Sequence, residues 1–156
     1  AKILGSTTLA FVQAFLLILL MPLLGLPLDA WRLLTLSAAL LLISFCLSAL
    51  GFATAWRTES MQGYHSVMNV LLFPLWLLSG ALFPAEGAFS WVKWIMAINP
   101  LSYALSVLRH VLYGEGLGAA SIAPLPISLL VTALFGAGVF YASLKMVQRG
   151  KIPGLQ

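Results

Sequence analysis

Two histidines, four carboxylates and one cysteine are the side chains from which proton transfer, metal binding or nucleophilic attack would have to be built here. Asp29, Glu59, Glu86 and Glu115 fall one to a connecting segment, so no two of them share a helix face and no general acid–base pair can be placed on one element. His65 opens a long apolar stretch and His110 closes a short helical one; both read as ordinary interfacial histidines rather than a proton relay. No Cys/His spacing suits a metal, and there is no glycine-rich phosphate loop or nucleophile elbow. Cys46, alone in mid-stretch, reads as a small packing residue. Catalysis and cofactor binding by this chain are therefore not expected.

What the residues supply instead is uncharged length. Residues 3–28, 33–56, 60–85 and 116–144 contain no Asp, Glu, Lys or Arg. Each can cross a bilayer as a helix, since ~20 residues at ~1.5 Å each match a hydrocarbon core of ~30 Å. Charged residues make up 8% of the chain against about a quarter in a soluble domain, and mean hydropathy is +1.04. The runs are continuously apolar rather than alternating, which argues against a β-barrel. The expected class is all-α: a polytopic membrane protein with four transmembrane helices and two short interfacial or re-entrant helices before the last span.

Charge sets the orientation. With Lys2 in the cytoplasm, the inner side carries Lys2, Arg57, Lys145, Arg149 and Lys151 against Glu59. The outer side carries Arg32, Lys93 and Arg109 against Asp29, Glu86 and Glu115, so the basic excess is inside, with both ends of the sequence cytoplasmic. The net charge of +4 is scattered singly, which speaks against nucleic acid as a partner. The start at Ala-Lys instead of Met reads as a fragment or a processed product.

The four spans are predicted at about 7–28, 33–55, 60–83 and 125–147, within a single transmembrane unit over 1–156. Ser6, Ala10 and Ala14 in the first, Ser44/Ser48 and Gly51/Ala55 in the second, and Thr132/Gly136, Ala133/Ala137 and Gly138/Ala142 in the last are spaced for close helix approach. Thr58 is expected to cap the third span, which Pro74 should kink. Between Phe83 and Pro124, a helix over about 90–98, with Trp91 and Trp94 flanking Lys93, suits the headgroup region. Asn99-Pro100 should start a second short helix, about 100–113, too short to span.

Read in order, Gly51-Phe-Ala-Thr-Ala-Trp-Arg57, Asn69-Val-Leu-Leu-Phe-Pro74, Ser79-Gly80-Ala-Leu-Phe83-Pro84, Asn99-Pro100-Leu-Ser-Tyr103 and Leu108-Arg109 form a set. The set resembles the permease subunits of ABC-2 type exporters. The resemblance covers nearly the whole chain and implies a six-helix template of which this is the third to sixth helices. The amino-terminal amphipathic helix, the first two spans and the coupling helix are not in this sequence. It implies the residue set Gly51, Arg57, Asn69, Pro74, Ser79, Gly80, Phe83, Pro84, Asn99, Pro100, Tyr103 and Arg109, and an inner loop, Trp56, Arg57, Thr58, Glu59 and Ser60, facing an ATPase. The implied partners are ATP-binding cassette ATPase subunits, a second permease (identical or a paralogue) and the lipid bilayer. ATP would act through the ATPase, the cargo would be amphiphilic, lipid-like or drug-like, and the membrane would be the bacterial cytoplasmic (inner) one. A non-transporting scaffold or assembly subunit is the alternative reading.

Overall fold

Every regular element in the computed structural model is helical among the residues it describes, 1–58, 60–82, 87–113 and 121–149. Helix α1 (Lys2–Leu19) starts earlier than the predicted span and leaves the α-helix earlier too. Pro22 has no N–H to continue the ladder, so the chain tightens into a 3₁₀ turn over Met21–Leu24. Gly25 then closes that turn with φ 76°, a left-handed backbone that favours glycine. Helix α2 (Ala30–Arg57) is capped by the Asp29 carboxylate, which accepts the Arg32 N–H at 3.2 Å. Arg32 in turn donates to the Pro27 carbonyl at 2.9 Å, bracing the turn between the two spans.

The third predicted span is helical from Met61 to Ala81, but it widens twice on the way. It runs as α3 (Met61–Val67), a π-turn over Met68–Leu72, α4 (Phe73–Trp76) and a second π-turn over Leu77–Ala81. Its cap is Ser60, whose hydroxyl accepts the Gly63 N–H at 3.0 Å, and not Thr58, which ends α2. Helices α5 (Ser90–Ile98) and α6 (Pro100–Tyr113) follow, bent by 89° at Asn99. Helix α7 (Leu125–Arg149) completes the set.

Three stretches, Lys2–Leu23, Ala30–Arg57 and Leu125–Gln148, are continuous helices long and apolar enough to cross a membrane, with mean hydropathy 2.2, 2.4 and 1.9. The α5–α6 pair passes the same test only as a bent unit. Helix α2 is central, packed against α1, α6 and α7. Leu17, Leu130 and Leu134 are 68%, 60% and 63% exposed on the outside, an arrangement that lipid tolerates and water does not.

Small residues hold α2 to α7. Cys46 Sγ contacts the Thr132 carbonyl at 3.4 Å, Ser143 Oγ lies 3.4 Å from the Ala49 carbonyl, and Phe45 meets Phe140 with ring centroids 5.2 Å apart. Of the predicted close-packing faces, Thr132/Gly136 is used, whereas Ala133, Ala137 and Gly138 face outward. On α1 the buried positions are Ile3, Thr7 and Ile18; Ala10 and Ala14 are half-buried and Ser6 is exposed. A Cβ at Gly136 would overlap Cys46 Sγ, with Cys46 Cβ 3.6 Å away. Gly136→Ala should therefore cost about 1–3 kcal/mol through overpacking. Adding Cys46→Ala removes the sulfur and should recover most of that loss; a double-mutant cycle on thermal unfolding in detergent measures it.

Candidate functional site

Breaking a helix inside a membrane leaves carbonyls without partners, and each must find one within the protein. In the third span the helix is first widened and then stopped. Pro74 lacks an N–H, and ahead of it the helix widens so that Phe73 N–H reaches the Met68 carbonyl, five residues back. Six residues beyond Pro74, Gly80 turns left-handed at φ 91°, ψ 8°, and regular helix stops.

Side chains from later in the chain meet the freed carbonyls. Asn99 Nδ2 donates to the Leu75 carbonyl at 2.6 Å, and Asn99 Oδ1 accepts the Leu101 N–H at 3.0 Å. One buried amide thus caps α6 and closes the broken span at once. Arg109 Nη2 donates to the Gly80 carbonyl at 2.6 Å, a charge-assisted bond placed at the negative end of the helix. Ser79 satisfies its own turn by donating to the Trp76 carbonyl at 2.6 Å. Met96 of α5 is 1% exposed and sits on Gly80, where a Cβ would come within 2.9 Å of its methyl. Tyr103 OH donates to the Ala97 carbonyl at 2.7 Å, bracing the bend between α5 and α6.

The predicted residues therefore divide. Pro74, Ser79, Gly80, Asn99, Pro100, Tyr103 and Arg109 gather where the third span meets α5 and α6. Arg57, Trp56, Thr58 and Ser60 gather at the opposite end of α2. Asn69 lies exposed in the first π-turn, apart from both. Glu59, Phe83 and Pro84 lie outside the described residues. Sequence reasoning missed Met96 and the acceptor carbonyls of Leu75 and Gly80. The carbonyls carry no residue-type signal; Met96 offered only its place on α5.

Beneath this junction lies a cavity of about 390 Å³ between α2, the broken span and α6. Gly51 opens it, since a Cβ there would meet nothing within 4 Å. Leu47, Leu72, Trp76, Leu105 and Leu108 are among its walls, and the one hydroxyl in the lining, that of Ser79, is already committed. Such a space takes apolar groups, and its lining holds no acid or base. At the far end, a second recess of about 390 Å³ is bounded by Ala55, Thr58, Ser60, Met61, Tyr64 and His65. His110 Nδ1 lies 2.8 Å from the Ser106 carbonyl of its own helix. A carbonyl only accepts, so that nitrogen carries its proton and the ring serves the helix.

Residues 1–113 match the model of the ABC-2 type transporter family. The chain is 34% identical over 90 residues to the "Opaque-specific ABC transporter CDR3" of Candida albicans; the match takes in 54% of this chain and 6% of that protein, so the chain spans a small fraction of the relative's length. No solved structure matches it.

Proposed function

The chain belongs to the ABC-2 type transporter family, and we propose that it is the carboxy-terminal part of a permease which, with a second permease, forms the path of an ATP-driven exporter for amphiphilic, lipid-like or drug-like cargo. The observation that carries this reading is the family match over residues 1–113, which takes in the broken span and its side-chain ties to α5 and α6. ATP is bound and hydrolysed by the ATP-binding cassette partner, and this chain converts the partner's closure into movement of helices. The uncharged spans and the apolar cavity below Ser79 favour cargo with a large apolar part.

The start of α1 and the ends of α2 and α7 face the cytoplasm in this reading, on the excess of basic residues at that end. The membrane is the bacterial inner membrane that the family resemblance implied. Trp56, Arg57, Thr58 and Ser60, beside the recess at Tyr64 and His65, form a contact for the ATPase. The junction of the third span with α5 and α6 lies on the outer side and forms part of the exit rim. Because Asn99 and Arg109 tie the end of the broken span to α5 and α6, the two move as one body.

The full-length transporter with its ATPase, reconstituted in vesicles, tests this with a fluorescent amphiphilic cation as probe. Probe movement should require ATP and should stop when the catalytic carboxylate of the ATPase is neutralised. Purification without any ATPase, and no nucleotide-dependent movement, would instead favour a scaffold subunit.

A further inference from the structure

Gly25 and Gly80 serve as glycines for their left-handed backbone, and Gly136 for the sulfur of Cys46 against it. Gly51 has neither reason. It lies inside α2 in ordinary helical backbone, where glycine is weaker than alanine, and a Cβ there would meet nothing within 4 Å. Leu47, Gly51 and Ala55 follow one another at four-residue intervals along α2. Leu47 and Gly51 face the cavity of about 390 Å³ below Ser79, and Ala55 faces the recess at Tyr64 and His65. The same element stands across both spaces: the third span, with Met68 and Leu72 on the far wall of the first and Met61 and Tyr64 on that of the second. Small residues four apart let membrane helices approach closely, yet here the helix opposite Gly51 and Ala55 stands off.

The third span is also held unevenly. Its last part carries the ties from Asn99 to the Leu75 carbonyl and from Arg109 to the Gly80 carbonyl, and its second π-turn packs on α5 and α6. Ahead of Leu75 the span packs chiefly on itself, with a slight contact of α3 on α2. At the boundary stand Pro74 and, just before it, the first π-turn, both places where a helix bends. We propose that the first part of the third span, residues 61–73, is a strap that closes onto the Gly51–Ala55 face of α2, pivoting at Pro74 and the first π-turn, with the space between Gly51 and Leu72 as room for the stroke. The missing side chain at Gly51 is then required by the closed state and not by the open one described here. The driving force rests on the exporter reading above: Met61 follows directly on the loop assigned to the ATPase, so a movement of that partner reaches the free end of the strap first, while Asn99 and Arg109 keep the other end with α5 and α6.

Spin labels on cysteines introduced at Leu41 of α2 and Val70 of the strap, both exposed, test this in the full-length transporter with its ATPase. The Leu41–Val70 distance should shorten between the nucleotide-free and ATP-trapped states. Gly51→Leu places a side chain in the open space, so it should unfold thermally no lower than the wild type and should lose the shortening altogether. Gly138→Leu, equally open but on the outward face of α7, should keep it. A Leu41–Val70 distance that stays the same in the unsubstituted transporter overturns the strap, as would occur if a lipid chain or cargo kept the cavity filled in both states. So does a shortening that survives Gly51→Leu. An unchanged distance in a transporter that still exports its probe removes the strap alone and leaves the exporter reading standing; an unchanged distance with no export removes both.

Discussion

Asn99→Ala is expected to lower stability by about 2–4 kcal/mol, the sum of a lost helix cap and a buried carbonyl left without a donor. The cap is the bond from Leu101 N–H to Asn99 Oδ1, and the carbonyl is that of Leu75, which Asn99 Nδ2 holds at 2.6 Å. Asn99→Asp separates the two roles. At an ordinary exposed cap, aspartate replaces asparagine with little loss. Here it would keep the acceptor for Leu101 but set an oxygen against the Leu75 carbonyl, in a site only 3% exposed. The aspartate variant should therefore be no more stable than the alanine variant. Denaturant unfolding in detergent measures both, and an aspartate variant of wild-type stability would reduce Asn99 to a cap and nothing more.

Arg109→Ala should cost about 1.5–3 kcal/mol, the range for a lost hydrogen bond to a charged group. The bond ends on the Gly80 carbonyl, at the residue where the third span turns left-handed. Lysine keeps the charge but not the planar, forked guanidinium, so Arg109→Lys should recover only part of the loss. Asn99 and Arg109 hold the same short segment, Leu75–Gly80, one from the bend ahead of α6 and the other from within α6. Their effects should not add: once one tie is cut, the segment can relax and the second contributes less. A double-mutant cycle between the two alanine variants should show coupling well outside error, and strict additivity would mean that they brace separate pieces.

The spans were legible because bilayer thickness dictates a length, and charge placement shows where each length ends. Helices α5 and α6 were legible for a local reason: Asn99-Pro100 is a helix start whatever surrounds it. The break in the third span was only half visible. Pro74 announced a disturbance, but what shapes the end of that span comes from far along the chain, 24 residues on for Asn99 and 29 for Arg109. Backbone carbonyls have no residue identity, so no motif can point to Leu75 as an acceptor. Small-residue spacing failed for a related reason. Gly136 and Gly138 look alike in sequence, yet only Gly136 has Cys46 against it, because periodicity marks a possible face and not a partner.

The central claim is that the end of the broken span and the α5–α6 pair form one body. It is tested most directly by spin labels on cysteines introduced at Leu82 and Trp94, both exposed, in the full-length transporter. Native Cys46 is buried and should not compete for label. The Leu82–Trp94 distance should stay constant between the nucleotide-free and ATP-trapped states, and should broaden when Asn99 and Arg109 are both alanine. A distance that changes with nucleotide while both side chains are intact would contradict the claim.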